Sequence, residues 1–358
     1  MLIDARWQEL ARILVNYSTR VRPGERVLLT MMEEETLPLV RAVFAEVVRV
    51  GGHPLVEFQS VHLERELMLL GSASQVGWVP EWLEQGMEWA DVYIGLRGAA
   101  NPHAFEGIPV ERIAARRRAM GILSARRNEK TRWVLARVPT AAMAQQASLS
   151  FDKLADLYFG AVLRDWQHEA RQYAVVKGLF EGAKEVRLLG PGTDLSFKVS
   201  DRLWEVEDGR INMPGGELYT APHEESAEGT IQLSFPGVFA GRLVNGVTLR
   251  FADGEVVEAR AESEIELLRS LLDMDQGARR IGEFGVGLNA GLGRFCADPL
   301  LDEKIFGTFH IALGRSYASC GGKNLSALHW DLVTDFRSAG EVRVDNRTVF
   351  AGGHFLGL

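Results

Sequence analysis

Residues 241–261 read GRLVNGVTLRFADGEVVEARA, in which apolar and polar residues alternate on both sides of an Asp-Gly pair. Alternation with a period of two predicts a half-buried β-strand, and Asp-Gly is typical of a tight hairpin turn. Similar short runs occur on both sides of this stretch, in KEVRLLG, TDLSFKVS, TIQLSF and VRVDNRTVF. We therefore predict that residues 181–358 form a β-rich, mostly antiparallel and barrel-like domain, interrupted by a helix over 263–274.

The first half of the chain has a different pattern, in which short apolar runs alternate with segments of helical spacing. These runs are RVLLT at 26–30, PLVEF at 54–58, DVYIGL at 91–96 and RWVLARV at 132–138. Strands separated by helices imply a parallel sheet covered on both faces. We predict a Rossmann-like α/β domain over residues 1–180, which includes connecting helices from residue 151. Because no GxGxxG follows the first strand, a dinucleotide site is not expected there.

Composition excludes several classes of protein. A chain of 358 residues with 46% hydrophobic and 25% charged residues is typical of a protein with two folded domains. Its formal net charge of −8 argues against binding to nucleic acid. No apolar stretch approaches the roughly 20 residues that a membrane span requires, and the charged N-terminal segment does not resemble a signal peptide. We expect a cytoplasmic protein in which Cys296 and Cys320 are free thiols.

Residues that typically bind metals are concentrated near the C-terminal end. In the strand-like run ALHWDLV, His329 and Asp331 are two residues apart, so a strand directs both side chains to one face. His310 lies in a second strand-like run, FHIAL. Two imidazoles and one carboxylate are sufficient ligands for a transition metal.

Two glutamates have neighbours that are unusual for surface residues. Glu217 follows the turn NMPGG, and Glu283 lies between Gly282 and Gly285. Glycines allow the backbone to approach another group closely. Together with the histidines and the aspartate, these glutamates give five candidate ligands, which is more than one tetrahedral ion with an open position needs. The sequence therefore favours two metal ions, which could activate water and polarise a peptide carbonyl.

The segments that carry these residues match a known family. They are NMPGGELYTAP at 212–222, GARRIGEFGVGLN at 277–289, DEKIFGTFHIALGRSY at 302–317 and SALHWDLV at 326–333. In these segments the chain resembles the thermophilic aminopeptidases, the metallo-exopeptidases of the aminopeptidase T and aminopeptidase S type. The resemblance extends over nearly the whole chain and includes RWVLARVPT and LGPGTDLSF.

The resemblance implies roles for specific residues. The metal ligands would be Glu217, Glu283, His310, His329 and Asp331. Glu283 would bridge two ions of zinc, cobalt or magnesium, and Tyr317 matches the catalytic tyrosine of the family. The pair Glu303 and Lys304 would lie next to the ligands, with Glu303 either supporting them or serving as an additional ligand. The family further implies a homodimer that removes N-terminal residues from short peptides. The segment between Tyr317 and His329 is shorter here than in better-known members, which is a place where substrate specificity could differ.

Two other functions are compatible with part of this pattern. His310, His329 and Asp331 alone could hold a single Fe(II) ion, as in the ring-opening dihydroxypyridine dioxygenases, which lack the two glutamates. A peptide-binding or scaffolding protein would need no metal at all. The number and kind of bound metal ions distinguish the three hypotheses.

Overall fold

The structure is a computed structural model, which describes residues 4–98 and 100–358. The chain packs into two compact units. Unit 1 consists of the described residues up to Arg164 together with Gly209–Gly215, and unit 2 consists of Asp165–Asp208 and Gly216–Leu358. Unit 1 therefore takes back a short segment after the chain has entered unit 2. The domain boundary at residue 180 stays a prediction.

Unit 1 contains a parallel five-stranded sheet. Its strands, numbered along the whole chain, are β1 Arg26–Met32, β2 His53–Gln59, β3 Val92–Arg97, β4 Arg132–Arg137 and β8 Asn212–Met213. Their order in the sheet is β2-β1-β3-β4-β8. The first four coincide with the four strands predicted from sequence, and Val27, Leu29, Ile94 and Val134 are completely buried among them. The prediction of a parallel sheet is confirmed.

Helices connect the strands of unit 1. They are α1 Ala5–Arg12, α2 Leu37–Arg49, α3 Val61–Leu70, α4 Ala73–Val76, α5 Glu81–Trp89, α6 Val110–Lys130, α7 Ala141–Gln146 and α8 Phe151–Val162. Several begin at a residue whose hydroxyl accepts a hydrogen bond from the first turn; Ser72, for example, caps α4. The first helix is α-helical only to Arg12 and continues in π-helical geometry over Ile13–Ser18.

Unit 2 contains the remaining strands. They are β5 Glu185–Gly190, β6 Thr193–Lys198, β7 Glu205–Glu207, β9 Glu217–Thr220, β10 Glu228–Gln232, β11 Gly237–Phe239, β12 Arg242–Val244, β13 Thr248–Ala252, β14 Glu255–Arg260, β15 Ile281–Gly287, β16 Thr308–Gly314, β17 His329–Asp335, β18 Glu341–Val344, β19 Arg347–Ala351 and β20 His354–Phe355. Its helices are α9 Trp166–Lys177, α10 Ile265–Leu272 and α11 Pro299–Asp302. The helix predicted over 263–274 corresponds to α10.

The strands of unit 2 form two large antiparallel sheets. One has eight strands in the order β14-β13-β10-β6-β5-β18-β19-β20, and the other has five in the order β17-β16-β15-β9-β7. Phenylalanines from both sheets meet: Phe197 lies 5.1 Å from Phe284, and Phe350 lies 5.0 Å from Phe309, between ring centroids. The mostly antiparallel character predicted for this half is confirmed.

Strand alternation gives the five-stranded sheet two chemically different faces. Phe284 and Phe309 contact phenylalanines of the eight-stranded sheet, whereas their chain neighbours Glu283 and His310 point to the opposite face. The apolar face is therefore used for packing, and the other face is left for polar side chains.

Cys296 and Cys320 are buried free thiols, as predicted. Within the described residues, no helix is long and apolar enough to cross a membrane.

Candidate metal centre

The five candidate ligands come from four neighbouring strands of one sheet. Glu217 begins β9, Glu283 lies on β15, His310 lies on β16, and both His329 and Asp331 lie on β17. These strands are adjacent in the order β17-β16-β15-β9. Antiparallel pairing sets Gly287 opposite Glu217, and Gly314 opposite His329. The hydrogen-bonded ladder thus brings together side chains that are far apart in the sequence.

Three of these side chains form a buried group. Nε2 of His310 lies 2.9 Å from Oε1 of Glu217 and 3.7 Å from Oε1 of Glu283. All three residues are at most 5% exposed. Their donor atoms lie close enough together to share one ion.

A second group is more open and shares Glu283 with the first. Nε2 of His329 lies 3.3 Å from Oε2 of Glu283 and 3.4 Å from Oδ1 of Asp331. Nδ1 of His329 lies 2.9 Å from the carbonyl oxygen of Arg315, so that a proton on Nδ1 would be donated to this oxygen. Such a bond fixes the ring and leaves Nε2 available to a cation. Glu283 thus offers one carboxylate oxygen to each group.

Lys304 is a buried cation beside the first group. Its ammonium donates to Oε2 of Glu217 at 3.2 Å and also to Oε1 of Glu303, and its side chain is 0% exposed. One oxygen of Glu217 therefore contacts Lys304 while the other faces His310. The sequence-predicted pair of Glu303 and Lys304 lies next to the candidate ligands, as expected for supporting residues.

Burial and neighbouring charge act in opposite directions on the carboxylates. Burial would raise the pKa of Glu217, but Lys304 and His310 together more than compensate and lower it. Burial also opposes ionisation of Asp331, and His329 lowers its pKa to about 2. For Glu303, burial has a larger effect than the opposing charge of Lys304, and the pKa is raised to about 8. Glu217 and Asp331 are therefore kept ionised in a buried environment, whereas ionisation of Glu303 is disfavoured.

The same carboxylates act on the imidazoles. Burial would lower the pKa of His310, but Glu217 and Glu283 together raise it well above its usual value. His329 behaves in the same way, with Asp331 as the main cause of the increase. Both rings thus lie where positive charge is strongly favoured, whether it is carried by a proton or by a metal ion.

Glycines make the close approach of these groups possible. A Cβ atom at Gly285 would lie 2.0 Å from Cε1 of His310, its partner across the strand pair. At Gly216, where φ is +115°, a Cβ atom would lie 2.5 Å from Cβ of Asn289. The prediction that the glycines beside the two glutamates permit a close approach is confirmed. At Gly285 the approaching group is the imidazole of a candidate ligand.

The residues fit a divalent metal. Nε2 of His310 is buried and lies within reach of two carboxylates, but it is not aligned for a hydrogen bond to a described residue. Imidazole nitrogen and carboxylate oxygen atoms are the ligands that zinc and similar ions take in proteins. Both donor groups have this composition.

Tyr317 lies at the open side of the site. Its ring centroid is 5.5 Å from that of His329, and its side chain is 42% exposed. The negative charge of Glu283 is the main cause that raises the pKa of Tyr317 well above its usual value. The residue predicted to be catalytic is therefore close to the candidate ligands.

Sequence reasoning missed two residues of this region, Tyr219 and Glu205. Tyr219 lies 5.3 Å from Tyr317 between ring centroids, and its hydroxyl donates to Oε2 of Glu205 at 3.0 Å. The signal was available, because Tyr219 is two residues after Glu217 and a strand directs both side chains to the same face.

Comparison with known proteins identifies the family. The model of the thermophilic metalloproteases (M29) matches residues 3–355. The chain belongs to this family. Aminopeptidase T of Thermus thermophilus is 30% identical over 349 residues, which cover 87% of this chain and 84% of that protein. The family predicted from the sequence motifs is thereby confirmed.

Two solved structures are similar over nearly their whole length. Wild-type AmpT from Thermus thermophilus has a TM-score of 0.86 and 26% identity, and the match covers 99% of this chain and 100% of that one. The 2,5-dihydroxypyridine dioxygenase from Pseudomonas putida has a TM-score of 0.65 and 16% identity, with 100% and 99% covered. The second likeness concerns the fold alone, so the dioxygenase hypothesis gains no support from it.

Proposed function

We propose that this metal-dependent aminopeptidase holds two divalent ions that share Glu283. The observation that carries the proposal is the position of this carboxylate, with Oε1 3.7 Å from Nε2 of His310 and Oε2 3.3 Å from Nε2 of His329. A carboxylate between two imidazoles is suited to bridge two cations. Peptides are the proposed substrates, and cleavage releases the N-terminal residue.

Each half of the proposed centre has its own ligands. Glu217 and His310 would complete the buried half, and His329 and Asp331 would complete the open half. Lys304 would hold the outer oxygen of Glu217, which leaves the inner oxygen for the ion. Glu303 would act mainly as the partner of Lys304. Hydrogen bonds to ligands from such supporting residues typically increase metal affinity.

The chemistry of hydrolysis would be divided between the ions and the protein. When bound, the ions would lower the pKa of water to near neutrality and polarise the scissile carbonyl. Tyr317 would donate a hydrogen bond from its phenol to the oxygen on which negative charge develops. A neutral amine is a nitrogen donor suited to a divalent ion, so a peptide whose free N-terminus is held at the open half would account for action at the N-terminus.

A metal analysis tests the proposal. The purified protein should be stripped with a chelator and titrated with zinc, cobalt or magnesium, while bound metal and release of aniline from leucyl-anilide are measured together. Two ions per chain at full activity are expected. A single iron with oxygen uptake on a dihydroxypyridine would contradict the proposal, and so would full activity with one ion.

Several finer features belong to the same proposal. We regard zinc or cobalt as better suited than magnesium, because imidazole ligands favour them. The parallel order of unit 1 supports a Rossmann-like arrangement, and the long antiparallel sheets of unit 2 support a barrel-like one. The homodimer and the cytoplasmic location rest on resemblance to the family. Light scattering at several concentrations would test the homodimer.

A further inference from the structure

Three aromatic rings lie close together at the open side of the candidate metal centre. Tyr219 lies 5.3 Å from Tyr317, and Tyr317 lies 5.5 Å from His329, between ring centroids. The planes are inclined by 54° in the first pair and by 65° in the second. Tyr317 therefore has two aromatic neighbours, Tyr219 and His329.

The backbone carbonyl of Tyr317 accepts hydrogen bonds from the N–H groups of Cys320 and Gly322, so the freedom that remains is that of its side chain. Tyr317 lies beyond the end of β16, at the residue that precedes the short helical turn Ala318–Cys320. Its side chain is 42% exposed. A half-exposed side chain on a loop has several rotamers available unless neighbouring groups remove them. The rings of Tyr219 and His329 both lie close enough to Tyr317 to remove some of these rotamers.

Tyr219, by contrast, is firmly anchored. It lies within β9 and pairs with Gly285 on one side and with Glu205 on the other. Its hydroxyl donates to Oε2 of Glu205 at 3.0 Å, so both the backbone and the tip of the ring are fixed.

We propose that Tyr219, held by Glu205, is a positioning residue for Tyr317. Its ring blocks one side of Tyr317 and keeps the phenol directed towards the metal centre. The inference rests on the proposed role of Tyr317 as hydrogen-bond donor. Because a displacement of about 1 Å can cost on the order of 10²-fold in rate, a ring that limits rotation of the donor matters for turnover.

A double-mutant cycle between Tyr219→Leu and Tyr317→Phe tests the inference. If Tyr219 acts through the phenol of Tyr317, Tyr219→Leu should lower kcat by about tenfold in the natural chain. In the Tyr317→Phe background the same change should lower kcat by less than about twofold, since residues that act together are not additive. KM and the number of bound metal ions should change little, because Tyr219 is not a ligand.

Two further variants separate positioning from general damage. Phe355→Leu removes another ring of unit 2 that contacts Phe350 and Phe306 rather than Tyr317, and it should leave kcat within about twofold in both backgrounds. Tyr219→Phe keeps the ring but loses the bond to Glu205, and it should give a smaller loss of kcat than Tyr219→Leu. If Tyr219→Leu does not fold, the cycle with Tyr219→Phe decides.

The outcomes distinguish this inference from the proposed function. Equal losses of kcat in both backgrounds, or loss of metal in Tyr219→Leu, would overturn the positioning role while leaving Tyr317 as donor. Full activity of Tyr317→Phe would instead contradict the role of Tyr317 itself, and the inference would fail with it. If Tyr219→Leu lowers kcat in the natural chain but not in the Tyr317→Phe background, the result supports both the positioning role of Tyr219 and the donor role of Tyr317.

Discussion

Two ion pairs, one in each unit, place their charges in very different surroundings. In unit 1, Arg26 and Asp91 form an ion pair of 3.0 Å in which both side chains are well exposed, at 43% and 37%. In unit 2, Lys304 and Glu217 form a pair of 3.2 Å with exposures of 0% and 6%. The first pair lies at the surface and joins the starts of β1 and β3, whereas the second lies inside the candidate metal centre.

This difference indicates what each set of charges is for. Exposed ion pairs contribute little to stability, about 0–1 kcal/mol, and cost little to form. Buried charges are expensive to desolvate, and well-packed apolar residues in their place are often equally stable. The cluster of buried charged side chains at one face of the antiparallel five-stranded sheet of unit 2 therefore points to function rather than to folding. Replacing the buried charges of the candidate metal centre should therefore lower activity, whereas replacing an exposed pair should change activity and stability little.

The largest effect is expected for Glu283→Gln. The amide removes the negative charge shared by the two donor groups, so both metal positions should be lost. Activity should fall by more than about 10³-fold, which exceeds the usual loss of one transition-state hydrogen bond. Metal ions should also no longer raise Tm, because binding to the folded state is what produces that increase. Activity, bound metal and Tm with and without metal are measured.

A matched control for this variant is Glu225→Gln in unit 2, since Glu225 is exposed. It should retain activity and the metal-dependent increase in Tm. Retention of two ions by Glu283→Gln would show that the carboxylate does not bridge them.

Tyr317→Phe should produce the next largest effect. It removes one phenol that we propose donates to the developing oxyanion, and loss of such a donor typically costs about 10²–10³-fold in rate. Metal content should not change, because the phenol is not among the proposed ligands. Values of kcat and bound metal are compared with those of Tyr158→Phe, which removes a buried hydroxyl without a hydrogen-bond partner among the described residues. Equal activity in the two variants would exclude Tyr317 as donor.

Much of this architecture was predictable from local patterns. Apolar runs between helical segments predicted the first four strands of unit 1, and alternation predicted the antiparallel character of unit 2. The return of Gly209–Gly215 to unit 1 was not predictable, because β8 has two residues and carries no periodic signal. The pairing of β8 with β4 is a tertiary contact between residues that are distant in the sequence.

The candidate site was predictable to a similar extent. The spacing of His329 and Asp331 on a strand was sufficient to place them on one face. Gly285, two residues after Glu283, indicated a close approach of another group. That this group is His310 could not be predicted, because it depends on the register between β15 and β16. Tyr219 was missed because tyrosine is common in strands, although its position two residues after Glu217 places both side chains on one face.

Lys304→Met should weaken metal binding without abolishing it. Without the ammonium, Glu217 and Glu303 remain buried without their common partner, and Glu217 is free to turn. Loss of a residue that supports a ligand typically costs about 10–100-fold in metal affinity. Competition with a chelator measures this affinity, and Lys198→Met, which changes an exposed lysine, is the control. An unchanged affinity would show that Lys304 serves only the fold.

Gly285→Ala tests whether the space beside His310 is needed. The added Cβ would lie 2.0 Å from Cε1 of a buried ring that has little room to move. Overpacking of this kind costs about 1–3 kcal/mol of unfolding free energy, and displacement of the ring should also lower metal affinity. Gly293→Ala is the matched control, since no atom lies within 4 Å of its added Cβ. Denaturant unfolding and chelator competition are measured, and equal behaviour of the two variants would contradict the role of Gly285.

Asp91→Asn in unit 1 should have the smallest effect on stability and activity. It tests whether the exposed ion pair is as dispensable as the comparison implies. Hydrogen bonds from Arg26 lower the pKa of Asp91 from 3.8 to about 2. Because the pKa is lower in the folded state, the stabilisation is fully present above about pH 4 and is lost as the pH falls towards 2. An exposed pair of this kind should change Tm by no more than about 2–3 °C at pH 7, and the difference should shrink below pH 4.

Activity at pH 7 should stay within about twofold of the natural chain, since an exposed pair has no part in the proposed chemistry. A loss comparable to that of Glu283→Gln would mean that surface charges of unit 1 also serve catalysis, and the distinction between the two sets of charges would no longer hold.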